Sequence, residues 1–169
     1  MKILVTGGVR SGKSAHAERL LAGAGAVRYV APGPVRDDAD WAARVAAHQA
    51  RRPQHWTTVE THDLAAALAT DGPVLVDCLG TWLTTVVDEA GLWEAPADEV
   101  LAHVDALVAD ALAALGDDVV LVTNEVGLGV VPEHRSGRLF RDLLGSVNQR
   151  FAAACDEVHL VVAGRVLTL

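Results

Sequence analysis

The sequence predicts an α/β fold of three layers: a mostly parallel sheet of about seven strands, covered by helices and closed at one edge by an antiparallel hairpin. Three observations predict it. Short apolar runs alternate with longer segments of helical periodicity, the order expected of βαβ units with right-handed crossovers. The runs are continuous rather than alternating apolar with polar, as in strands buried on both faces. The last run returns through Ala163 and Gly164, a spacing that fits a tight hairpin.

Taken in order, residues 2–6 (KILVT), 28–31 (RYVA), 74–78 (VLVDC), 119–123 (VVLVT) and 158–163 (VHLVVA) read as strands, with 57–60 (TTVE) a weaker sixth. Residues 165–169 supply the antiparallel edge strand. Helices are expected over 13–22, 38–51, 63–69, 81–89, 97–115 and 137–154. The fifth carries Leu101, Val104, Leu107, Val108, Ala111, Leu112 and Leu115, and the last carries Phe140, Leu143, Leu144, Val147, Phe151 and Ala154. Both sets have the three-and-four spacing of a helix with one buried stripe. Residues 91–96 (GLWEAP) read as the one long surface loop.

At 169 residues the chain is one domain's worth, so a single domain over 1–169 is expected. Hydrophobic residues make up 51% and charged residues 21%, a mixture that forms a core and excludes disorder as the main state. With 14 Lys+Arg against 22 Asp+Glu, the net charge is −8, which argues against a broad nucleic-acid surface. A local cationic pocket can still bind an anion, because it dominates at short range. The apolar start is too short for a signal-peptide core, and no uncharged apolar stretch approaches a membrane span. Cys78 and Cys155 lack CxxC or metal spacing, and two reduced thiols in a cytoplasmic protein are expected.

The strongest motif is Gly7, Gly8, Val9, Arg10, Ser11, Gly12, Lys13 and Ser14, which satisfies GxxxxGK[ST] between a predicted strand and a predicted helix. Glycines let the backbone curl so that successive N–H groups face phosphate oxygens, and the following helix adds its positive end. In such a loop Lys13 contacts the terminal phosphates and the Ser14 hydroxyl ligates Mg²⁺. A chance glycine turn is the competing explanation, and the strand–loop–helix context weighs against it. The motif predicts a P-loop NTPase-like fold that binds a nucleoside triphosphate.

Such a site needs a second carboxylate on a neighbouring strand. Asp77, ending a buried run, is the natural choice; it could instead cap the helix that follows. Glu125, just past residues 119–123, is a rival for the metal role.

Residues 41–56 read WAARVAAHQARRPQHW. On a helix, Arg44, His48, Arg51 and Arg52 share one face. Arginine forks suit a polyphosphate, and cationic neighbours would keep the imidazole neutral, the form that can attack phosphorus. A solvated basic helix face explains the same pattern equally well. His16, His62, His103 and His159 read as structural or surface histidines, and His55 and His134 fall in loops. The four tryptophans, Trp41, Trp56, Trp82 and Trp93, read as packing residues.

Taken together, these segments resemble the bifunctional adenosylcobinamide kinase / adenosylcobinamide-phosphate guanylyltransferase family. The resemblance runs through GGVRSGKS at 7–14, Arg44-Val45 with His48, Arg52-Pro53 leading to Trp56, and LVDCL at 75–79. It continues through VTNEVGLGVVP at 122–132, RLFRD at 138–142 and VNQR at 147–150. It implies phosphorylation of adenosylcobinamide by ATP or GTP, then transfer of GMP from GTP to adenosylcobinamide phosphate through a guanylylated histidine, which His48 matches. It further implies that Ala31, Pro32, Gly33, Gln49, Ala50, Arg51, Arg52, Glu60 and Asp77 border the nucleotide, with Glu60 facing guanine. Ser14 and Asp77 would hold Mg²⁺, and the protein would be a homotrimer without nucleic-acid or membrane partners. Pro32-Gly33 stand where the family often has hydroxyl-bearing residues, and Asp77 where it often has Glu. A single-activity P-loop kinase, in which His48 only binds phosphate, and a nucleotide-binding module without turnover are the alternatives.

Overall fold

The computed structural model describes residues 1–33, 46 and 52–169. Among these residues seven strands form one sheet: β1 (Lys2–Gly7), β2 (Arg28–Ala31), β3 (Thr57–Glu60), β4 (Val74–Asp77), β5 (Val119–Val122), β6 (Glu157–Val162) and β7 (Arg165–Thr168). The order is β3-β2-β4-β5-β1-β6-β7. Every neighbouring pair is parallel except β6–β7, which is antiparallel. The predicted mostly parallel sheet with an antiparallel edge is therefore present, and TTVE is a full member of it. Ala163 and Gly164 form the hairpin turn, both at positive φ (50° and 76°), as a two-residue turn between twisted strands requires.

The helices among the described residues are α1 (Lys13–Leu20), α2 (Leu64–Leu68), α3 (Leu79–Ala90), α4 (Ala97–Ala113) and α5 (Arg135–Ala154). The helix expected over 38–51 lies outside the described residues, apart from Ala46. Continuous apolar strands follow from coverage of both sheet faces. In β4, Val74 and Val76 pack with α2–α5, while Leu75 points to the α1 side; Val119 and Leu121 divide from Val120 and Val122 in the same way in β5. Three layers result.

Two helix stripes need refinement. On α4 the fully buried residues are Val100, Val104, Val108 and Ala111, whereas Leu101 is 40% exposed. The 100° step between neighbours lets Val100 replace Leu101 at the seam. On α5, Leu139 joins Leu143, Leu144, Val147 and Phe151 in the core, and Phe140 packs at its margin. Trp82 is buried and donates to the His62 carbonyl at 2.9 Å, and Trp56 is buried on the α1 side. Trp41 lies outside the described residues. Cys78 and Cys155 are free thiols. Among the described residues no helix is long and apolar enough to cross a membrane.

Candidate nucleotide site

The loop between β1 and α1 is built by close backbone approach. At Gly7 (φ +156°) a Cβ would lie 2.4 Å from the Val161 carbonyl oxygen and 2.8 Å from Ser11 Oγ, so only glycine fits beside β6. Gly12 takes φ +95° and ends the loop at the first turn of α1, and Arg10 is also left-handed at φ 55°. The Ser11 N–H donates to the Gly8 carbonyl at 3.3 Å, and the Ser11 carbonyl accepts from Gly164 N–H at 2.8 Å. The β6–β7 turn thus braces the loop from behind.

No side chain caps the start of α1, and its first turn carries no acidic residue. Its N-terminal N–H groups and positive dipole end are therefore available to an anion. Lys13 is 91% buried, since its residue exposure is 9%, and its ammonium donates to the Gly8 carbonyl at 3.2 Å across the loop. Ser14 follows it, half-buried, and Ser11 Oγ is buried with no hydrogen-bond partner. Gly8, Val9 and Arg10 are exposed on the outer curve. An uncapped helix start, a lysine folded over the loop and an orphaned hydroxyl together suit phosphate oxygens.

The second carboxylate is placed by strand order. Asp77 ends β4, and β5 stands between β4 and β1. The expectation of a directly neighbouring strand is corrected: Asp77 pairs in register with Val122, which pairs with Val5. Two strand spacings put Asp77 about 10 Å across the sheet from Val5. Nor does Asp77 cap the next helix. Cys78 is the N-cap of α3, its N–H donating to Thr81 Oγ1 at 3.4 Å, and the helix starts at Leu79, two residues before its expected start. Glu125 follows β5, directly beside β1, and its N–H donates to the Gly7 carbonyl at 3.1 Å. Its carboxylate accepts from Gly127 N–H at 2.6 Å, which serves the local turn.

Asp77 is held by a residue the sequence did not single out. Tyr29, the chain's single tyrosine, donates its hydroxyl to Asp77 Oδ2 at 2.9 Å. Burial, and then the Asp77 charge, push the phenol well above its ordinary pKa, so it stays a neutral donor. The Arg52 guanidinium stacks on the same ring, 3.3 Å from its centroid, and donates to Thr58 Oγ1 at 2.9 Å. Arg52 and Asp77 thus share Tyr29 as a partner. Ala31 and Glu60 are register partners at the ends of β2 and β3, with Glu60 exposed, Pro32 buried and Gly33 half-buried. Arg44, His48, Gln49, Ala50 and Arg51 lie outside the described residues.

The donor set suits Mg²⁺. Hard oxygens come from the Ser14 hydroxyl and the Asp77 carboxylate. Among the described residues no group of three or more His, Cys, Asp or Glu could hold a metal.

Two histidines read separately from the sequence form a pair. His16 Nε2 and His159 Nδ1 are 2.9 Å apart, and His159 Nε2 lies 2.8 Å from Glu157 Oε2. Burial first, then the charges of His159 and Arg19, lower the His16 pKa, so this ring on α1 stays neutral. No signal in the sequence joins residues 143 positions apart.

The family model described as cobinamide kinase / cobinamide phosphate guanyltransferase matches residues 3–169. The chain is 44% identical over 176 residues to the bifunctional adenosylcobalamin biosynthesis protein CobU of Salmonella typhimurium, covering 97% of each. It is likewise 44% identical over 177 residues to the protein of that name from Escherichia coli, again covering 97% of each. The bifunctional adenosylcobalamin biosynthesis protein CobP of Pseudomonas aeruginosa is 40% identical, across 100% of this chain and 97% of that one. The match spans both β1 with its phosphate loop and the β6–β7 hairpin that braces it, and the chain belongs to the cobinamide kinase / cobinamide phosphate guanyltransferase family.

Proposed function

We propose that the protein carries out both reactions of its family at one nucleotide site. The first moves the γ-phosphoryl group of ATP or GTP to the hydroxyl of adenosylcobinamide. The second moves GMP from GTP to adenosylcobinamide phosphate, giving adenosylcobinamide-GDP and pyrophosphate. The observation that carries this reading is the full-length family match onto a chain whose β1–α1 loop carries the GxxxxGK[ST] motif.

The loop N–H groups and the α1 N-terminus cradle phosphates, and Lys13 leaves the Gly8 carbonyl to meet the terminal ones. Ser14 and Asp77 hold Mg²⁺, which neutralises charge on the phosphates when bound. Tyr29, with Arg52 stacked on its ring, keeps the Asp77 carboxylate aimed from the β2 side. Ala31, Pro32, Gly33 and Glu60 border the base, with Glu60 accepting from guanine N–H groups.

For guanylyl transfer, a neutral His48 nitrogen attacks the α-phosphorus of GTP. The bond from that phosphorus to the bridging oxygen breaks, and pyrophosphate leaves with the electron pair. An oxygen of adenosylcobinamide phosphate then attacks the same phosphorus, the P–N bond breaks and the imidazole is regenerated. Gln49, Ala50, Arg51 and Arg52 line the phosphates during this exchange.

A homotrimer is supported by exposed Val166 and Leu167 on β7 and Leu169 just beyond it, an apolar sheet edge that a neighbouring subunit would cover. The use of ATP and GTP, with two free thiols, fits the cytoplasm.

Incubation with α-labelled GTP tests the reading. Acid-labile, base-stable label is expected on the protein, absent in His48→Ala, and released by adenosylcobinamide phosphate as adenosylcobinamide-GDP. Phosphorylation of adenosylcobinamide without any protein label would instead identify a kinase in which His48 only binds phosphate.

A further inference from the structure

The segment from β5 to α5 holds aliphatic side chains in water. Val126 packs against the core, but Leu128, Val130 and Val131 are 89%, 95% and 58% exposed. Single exposed apolar residues are ordinary; three within four positions mark an interaction surface. The segment is also tied down at both ends. At its start Thr123 Oγ1 donates to Asn148 Oδ1 at 2.6 Å, and Asn148 Nδ2 donates to the Asn124 carbonyl at 3.1 Å. At its end Arg138 donates to the Pro132 carbonyl at 3.1 Å, and Pro132 lies so close to α5 that a Cβ on Gly137 would meet it at 2.9 Å.

Its position is set by the Glu125–Gly7 hydrogen bond, which puts the segment at the phosphate-loop end of the sheet. Leu128 is three residues beyond Glu125, within about 11 Å of it by chain reach, and Val131 is within about 22 Å. The phosphates have N–H groups and Lys13 as partners, and neither they nor Mg²⁺ gain from an aliphatic crest. The second substrate does. A corrin macrocycle is a broad disc edged with methyl groups, and its reacting hydroxyl sits at the end of a flexible arm. We propose that Leu128, Val130 and Val131 seat the methyl-bearing face of the corrinoid, so that its arm reaches the phosphates at the β1–α1 loop. This rests on the two-reaction reading above. The β7 patch lies on the sheet's edge strand, which runs away from the phosphate loop, and so suits a neighbouring subunit instead.

The test compares wild type with the Leu128→Ser/Val130→Ser double variant. Equilibrium dialysis against adenosylcobinamide, read by corrin absorbance, is expected to show affinity weakened roughly tenfold or more. Tenfold corresponds to about 1.4 kcal/mol, the scale of one aliphatic side chain removed from contact. The KM for adenosylcobinamide rises by the same factor, with kcat changed less than about twofold. GTP affinity, protein label from α-labelled GTP, and sedimentation mass stay at wild-type values. Unchanged corrinoid affinity overturns the proposal, as does equal weakening of GTP binding. A fall in mass also overturns it, because the crest is then a subunit contact. Leu128→Ala, which adds no polarity, should move corrinoid affinity in the same direction by a smaller factor. If wild-type protein neither binds nor phosphorylates adenosylcobinamide, the two-reaction reading itself fails and takes this inference with it, an outcome distinct from a variant that behaves like wild type.

Discussion

Gly7 has two duties, as the last residue of β1 and as the start of the phosphate loop. A methyl group there collides with the Val161 backbone, which cannot move without breaking β1–β6 pairing. Gly7→Ala is therefore expected to lower the urea midpoint, by about 1–3 kcal/mol in stability. Gly8→Ala, whose added Cβ meets nothing within 4 Å, should stay within about 0.5 kcal/mol of wild type. His16 makes a prediction of opposite character. Its folded pKa is lowered, so below about pH 6.5 the unfolded chain takes up the proton first. Its contribution to stability is whole above that value and is lost as pH falls toward the folded pKa. Urea midpoints measured between about pH 7.5 and pH 5.5 should fall, and His16→Gln should flatten that slope. An equal slope in the variant would assign the pH dependence to other groups.

Among the elements, α5 joins core packing to the site. Its buried stripe faces the sheet, while Asn148 on the same helix bonds both Thr123 and Asn124 at the end of β5. Asn148→Ala leaves buried Thr123 without that partner, and thermal denaturation should show a loss of about 1–3 kcal/mol. The corrinoid affinity should weaken with it, because the start of the aliphatic crest loses its tether. The apolar runs and the glycine-rich motif were legible in the sequence because each is set by residues within one turn or strand. Boundaries were less so. The start of α3 depends on the Cys78–Thr81 cap, and the buried stripe of α4 depends on how the helix rolls against α3 and α5. Neither is a property of the segment alone.

For the whole molecule, β7 is an open edge of the sheet that carries exposed apolar residues. Its exposed Val166 and Leu167 continue from Val162 on β6. If β7 is the subunit contact of the trimer proposed above, Leu167→Asp is expected to reduce the sedimentation mass to that of the monomer while leaving the far-ultraviolet dichroism unchanged. A trimer that survives this change would place the interface elsewhere.

The sequence by itself determined the element types, the parallel sheet with its hairpin edge, the phosphate loop and the family, because all of these are carried by local periodicity or by contiguous motifs. Tertiary structure alone decided that β5 separates Asp77 from the loop, that Tyr29 bonds Asp77 while Arg52 stacks on its ring, and that His16 meets His159. It also decided that Leu128, Val130 and Val131 are left exposed. The physical reason is strand order: crossovers through helices place strands without regard to their order in the chain, and side chains far apart in sequence become neighbours only when the sheet closes.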